Sequence, residues 1–123
     1  MSRDFRLYLE DILAAAEKVL RFSQGYSLAE FVRDEKTFDA VVRNLEIIGE
    51  AAKHVPQEVR QRYPQVEWRK MTGLRDVIAH EYFGLDEDIL WDVIHNFVPK
   101  LLEHVPHVLK QEGTSEGGQR QTG

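Results

Sequence analysis

Apolar residues return every three or four positions along most of this 123-residue chain. No stretch alternates apolar and polar over a useful length. That pattern fits helices with one buried face and leaves little room for sheet. Phe5, Leu9, Ile12, Ala16, Val19 and Leu20 form one stripe, predicting a helix capped by Ser2 and running to about Gly25. Ser27 and Glu30 stand at capping-box spacing before a short helical turn over 28–32. Asp34 can cap a second long helix carrying Phe38, Val41, Val42, Leu45, Ile48, Ala52 and Val55, closed by Pro56. A short turn over 58–63 stops at Pro64. Trp68, Met71, Leu74 and Ile78 give a third long helix its apolar face, ending at 80–82 because Gly84 suits a terminus.

Asp86 can cap the last helix, whose apolar residues run from Ile89 to Leu109, and Pro99 and Pro106 should kink or segment it. Four long helices with mostly short connections predict an all-α fold over residues 1–110. The expected form is an up-down, antiparallel four-helix bundle with short extra helices. Residues 111–123, without a strongly apolar side chain and rich in Gly and Gln, read as a disordered polar tail. Ile89, Leu90, Val93, Ile94 and Phe97 cover a wider arc than one bundle core needs. A second buried face, hence a homodimer, is the economical reading; a central helix within a monomer is the alternative.

The absence of cysteine excludes disulfides and thiol nucleophiles and fits a reducing cytosol. The first twenty residues carry seven charges, and no apolar run reaches the roughly 18 residues of a membrane span. A soluble, cytoplasmic protein is expected. The net charge of -5 argues against a general nucleic-acid binder. Yet from Lys53 to Arg75 there are six basic residues against two acidic ones. Arg69 and Lys70 in that window are candidate RNA contacts. A solvated helix face explains the same surplus equally well.

The surplus leads into GLRDVIAHEYFG, where Arg75, His80 and Tyr82 form R-x-x-x-x-H-x-Y. A guanidinium reads phosphate with a rigid fork, and imidazole exchanges protons near neutral pH. Cleaving RNA without a metal needs both. The nucleophile is the substrate's own 2′-hydroxyl. The protein must move two protons and offset charge growing at phosphorus. Arg75 and His80 are the minimum set, with Glu50 as a supporting residue. Positions five apart on a straight helix point about 140° from each other. Convergence on one phosphate therefore needs either an unwound helix near His80 or a two-fold axis joining two such helices. Each residue also has a plain reading: a histidine capping a carbonyl, an Arg75–Asp76 surface ion pair, a tyrosine in the core.

Other chemistries fare worse. His54, His95, His104 and His107 lack carboxylate partners at metal-ligand spacing, so no metal site and no cofactor is expected. Glu46 and Glu50 lie four apart on one helix face, with one of them expected to bond toward Arg75 or a helix end. Trp68 and Trp91 read as core anchors.

NLEIIGEAAKHVP (44–56) and YPQVEWRKMTGLRDVIAHEYFGLDEDILWDVI (63–94) resemble the HepT-like branch of the HEPN superfamily. The likeness spans most of residues 5–110. It implies an all-α homodimer with a metal-independent endoribonuclease site at the subunit interface, Arg75 and His80 being catalytic and Asp76, at the family's polar position after the Arg, supporting them. It also implies the toxin of a toxin–antitoxin pair, whose antitoxin is a minimal nucleotidyltransferase (MNT-type) that adenylylates Tyr82. The competing expectation is a non-catalytic helical module that binds nucleotides or a nucleotidyltransferase partner.

Overall fold

A computed structural model describes residues 3–82 and 87–113, with the backbone alone at 80–82. The described residues form an all-α bundle. Helix α1 spans Phe5–Ser23, α2 Leu28–Arg33, α3 Glu35–Lys53, α4 Gln57–Arg62, α5 Trp68–Thr72, α6 Leu74–Tyr82 and α7 Glu87–Asp92. A π-helical turn, Val93–Phe97, then joins α7 to α8, Val98–Glu112.

Local signals set most of these boundaries. Asp34 caps α3 by accepting from the Thr37 amide at 3.2 Å. Ser27 and Glu30 exchange both bonds of the capping box at 2.9 and 3.1 Å. The start of α1 differs from expectation. Its cap is Asp4, which accepts from the Arg6 amide at 3.0 Å, so the helix opens at Phe5. Ser2 lies outside the described residues, as do Gly84 and Asp86. Gly25 has φ +82°, a left-handed conformation that suits glycine, and it turns the chain from α1 toward α2.

Contacts between helix ends fix the directions. Tyr8, early in α1, stacks on His54 at the end of α3, with ring centroids 4.5 Å apart. Arg6 donates to the Glu112 carbonyl at the end of α8 at 3.1 Å. Both neighbours of α1 therefore run antiparallel to it, as an up-down bundle requires. The core between them holds Leu9, Ile12, Val19, Leu45, Ile48 and Leu101, all at 2% exposure or less. Burying each such side chain is worth about 1.5–3 kcal/mol.

The expected third long helix is two helices. Gly73 ends α5, its amide bonding back to the Arg69 carbonyl at 3.0 Å. The Gly73 carbonyl accepts from Asp76 at 3.0 Å to start α6. Glycine tolerates this break because it lacks a side chain to clash and holds helical geometry weakly. The junction rests on α3 at Gly49, where an added Cβ would come within 3.2 Å of the Met71 carbonyl.

Near Pro99 the last helix changes form instead of breaking. A proline lacks the N–H that an α-turn requires and crowds the carbonyl four residues before it. The turn just before it widens to π geometry, with Val98 donating to Val93. The helix passes through Pro106 on its exposed side. It continues to Glu112, two residues beyond the expected boundary, because Glu112 is clasped by Arg62 and Tyr63. Residues 114–123 lie outside the described set. The wide apolar arc also has an internal explanation. Leu90, Val93, Ile94 and Phe97 are buried within the single chain, leaving only Ile89 substantially exposed, at 47%.

Candidate active site

Arg75 sits in the first turn of α6 with its side chain 63% exposed. The Gly49 contact lays this turn against α3, so that Arg75 stands opposite Glu50, the residue after the glycine. Arg75 Nη1 is 4.0 Å from Glu50 Oε1. The same carboxylate lies 3.8 Å from Lys53 Nζ and 3.8 Å from His54 Nε2. All three separations exceed hydrogen-bonding distance. Glu50 therefore gathers three cationic or protonatable groups without being locked to any, and in water such pairs hold weakly. Asp76 is exposed, and Arg75 pairs across to α3 instead of with this sequence neighbour.

A cavity of about 380 Å³ opens beside this pair. It is lined by Tyr8 and Asp11 of α1, by Arg43, Glu46 and Glu50 of α3, and by Arg75 of α6. Next to it, the His54 ring lies nearly parallel to Tyr8, at 15°. The Arg3 guanidinium covers Tyr8 at 4.5 Å from the ring centre and bonds to Asp11 at 2.8 Å. The Asp11 hydrogen bond holds Arg3 above the usual guanidinium range. A continuous run of contacts thus links Arg3, Tyr8, His54, Glu50 and Arg75.

His80 and Tyr82 lie on α6, whose backbone is helical through Tyr82; their side chains fall outside the described residues. The helix does not unwind at His80, so a single α6 keeps the two positions about 140° from alignment. Arg69 and Lys70 are exposed on α5 and do not line the cavity. Lys70 instead places its ammonium 5.3 Å from the Phe97 ring centre.

The basic surplus of the sequence divides by role. Arg60 caps the end of α3, donating to the carbonyls of Ala52 and Val55 at 3.0 Å and of Lys53 at 3.3 Å. Arg62 is bound to Glu112 at 2.8 Å. Arg69, Lys70 and Arg75 remain outward-facing. Trp68 is buried and donates to the Tyr63 carbonyl at 3.0 Å, while Trp91 packs on Phe31 at 5.3 Å. Both serve the core. Among the described residues, no three His, Cys, Asp or Glu side chains gather as metal ligands, and no helix is long and apolar enough to cross a membrane.

Sequence reasoning overlooked Tyr8, Arg43 and His54 as neighbours of the site. Arg43, Glu46 and Glu50 recur at helical spacing on the outward face of α3, a signal present in the sequence. The Tyr8–His54 stack has no local signal, since 46 residues separate its members.

The sequence model of the family described as Ribonuclease HepT-like matches residues 12–108. A Methanocaldococcus jannaschii protein provisionally named an RNase is 40% identical over 115 residues, covering 93% of this chain and 95% of the relative. A Caldanaerobacter subterraneus protein with the same provisional name is 41% identical, covering 87% and 96%. A Thermococcus cleftensis protein named a probable ribonuclease HepT is 41% identical, covering 82% and 92%. No solved structure matches the chain significantly.

Proposed function

The chain belongs to the ribonuclease HepT-like family, and from that premise we propose that it is a metal-independent endoribonuclease whose site is built from Arg75 and His80 across a two-fold axis. In the reaction the substrate's 2′-oxygen attacks the adjacent phosphorus and loses its proton. The bond to the 5′-oxygen breaks, and that oxygen takes up a proton. One new end carries a 2′,3′-cyclic phosphate and the other a 5′-hydroxyl. Arg75 offsets the negative charge that grows on the phosphoryl oxygens. His80 serves proton transfer, and a second copy of it from the partner subunit supplies the second transfer.

The observation that carries this reading is the placement of Arg75. It is an always-charged guanidinium, 63% exposed and lining the cavity. It also stands on a helix that continues unbroken through His80. Arg60 and Arg62, by contrast, are bound, to the end of α3 and to Glu112. The unbroken helix supports the two-fold arrangement, because positions five apart on one copy of α6 lie about 140° apart around its axis. The reading extends to a toxin neutralised by a nucleotidyltransferase antitoxin that adenylylates Tyr82.

The test is incubation of RNA with wild type, Arg75→Ala and His80→Ala in the presence of EDTA. Cleavage by wild type to cyclic-phosphate ends, lost in both variants, supports it. Wild type that binds RNA without cutting it would return the chain to a binding module.

A further inference from the structure

We propose that the cavity beside Arg75 is a base subsite that reads guanine in single-stranded RNA, with Glu46 as the reading residue. The inference rests on the ribonuclease reading for its substrate class and adds which base is seated and by what contact.

The cavity volume, about 380 Å³, lies within the roughly 300–1,000 Å³ of small-ligand clefts. Ile47 and Ala51 add apolar surface to its lining, beside Arg43 and Glu46 of the same helix. RNA sequence is read chiefly from unstacked bases. Their faces lie on aromatic or guanidinium planes, and their edges are hydrogen bonded. Tyr8 already has the His54 ring and the Arg3 guanidinium against it, each 4.5 Å from its ring centre. The stacking plane therefore falls to Arg43, whose side chain is 72% exposed.

Glu46 has the open acceptors. Its nearest cation, Arg43, is 3.9 Å away, too far for a hydrogen bond. Asp11, by contrast, is engaged by Arg3 at 2.8 Å. A carboxylate accepts at two oxygens and donates nothing. Guanine meets it with two adjacent donors, N1–H and the 2-amino group. Uracil flanks its single N–H with carbonyl oxygens, which a carboxylate repels. Adenine and cytosine set a ring acceptor beside their amino group. Acceptor-only chemistry therefore favours guanine. Glu46 and Glu50 are four residues apart on α3, about 6 Å along the axis. A base at Glu46 thus leaves its ribose-linked phosphate within reach of Arg75.

The test measures binding, so that it does not depend on cleavage. Oligoribonucleotides carrying 2′-O-methyl groups, uncleavable by 2′-attack, present one variable base as guanine, inosine, adenine, cytosine or uracil. Anisotropy titrations of the full chain give the affinities. Guanine should bind about ten-fold tighter than inosine, which lacks the 2-amino donor, since losing part of a bidentate contact has that effect. Glu46→Gln should bring guanine and inosine to within about two-fold of each other. Circular dichroism would establish that the variant is folded. Equal affinity of wild type for guanine and inosine overturns the subsite, as does an unchanged ratio in folded Glu46→Gln. A guanine preference in a protein that cuts no RNA would leave the subsite standing and remove the nuclease reading instead.

Discussion

Gly49 brings α3 so near the α5–α6 junction that a methyl group there would lie 3.2 Å from the Met71 carbonyl and 3.7 Å from Leu74 Cβ. The first of these is a backbone atom, so relief requires a helix to move. Gly49→Ala gains about 0.5–1 kcal/mol in helix propensity. It loses about 1–3 kcal/mol to overpacking. The net expectation is a melting temperature lowered by about 3–5 °C. Because Arg75 is placed by this contact, RNA cleavage should fall by more than the loss of folded protein explains. A raised melting temperature with full activity would show that the junction is not set by Gly49.

The clasp at the end of α8 predicts an acid-labile stability term. Glu112 accepts from Arg62 at 3.1 and 2.8 Å and from the Tyr63 hydroxyl at 2.6 Å. Burial pushes its carboxyl up, but the Arg62 and Tyr63 hydrogen bonds together with nearby positive charge outweigh it, so the net shift is downward. A carboxyl depressed in the folded state binds its proton more readily when unfolded. Its contribution is therefore present above the ordinary glutamate range and fades as pH falls through the folded-state value. Wild type should lose its advantage over Glu112→Gln on acidification below about pH 4.5. Parallel melts at pH 7 and pH 3.5 check this, and an equal gap at both would remove Glu112 from the account.

Most of the fold was legible because its signals are local. The capping box at Ser27 and Glu30, the Asp34 cap and the periodic stripes of α1, α3 and α8 each involve residues within a few turns of one another. What the sequence hid depends on tertiary context. Gly73 divides a stripe that, by periodicity alone, continues from Trp68 to Ile78. The arc of Leu90, Val93, Ile94 and Phe97 looked too wide for one core, yet the chain buries all four. At the site, the R-x-x-x-x-H-x-Y pattern marks Arg75, and the Glu46/Glu50 spacing offers a carboxylate for it; Glu50 lies 4.0 Å from its guanidinium. The cavity beside them was hidden because Tyr8 and Arg43 reach it from different helices.

Arg75 and Glu50 should respond differently to conservative change. Their pair, at 4.0 Å between exposed groups, is worth at most about 1 kcal/mol of stability. Glu50→Gln should therefore melt within about 4 °C of wild type. Arg75→Lys keeps the charge but loses the planar fork that meets two phosphoryl oxygens. Cleavage should drop by about 10²-fold with folding intact. Single-turnover rates at saturating protein would show this. Lysine sustaining wild-type rates would mean that charge alone is required and would weaken the proposed role.

Tyr82 offers the sharpest test of regulation. It lies seven residues after Arg75 on a helix that stays regular to its end, and residues seven apart share a face. An AMP group on Tyr82 would add a phosphate and a base to the helix face that position 82 shares with Arg75. The added negative charge would occupy the cation needed by the RNA phosphate, and the adenosine would fill the approach. Incubation with a cognate nucleotidyltransferase and ATP should add one AMP per chain, read by mass spectrometry. Cleavage should be abolished without change of oligomeric state. Tyr82→Phe should escape modification and continue to cleave RNA under the same treatment. Equal cleavage by fully modified and unmodified protein would separate Tyr82 from control of the site, while leaving the roles of Arg75 and His80 to their own variants.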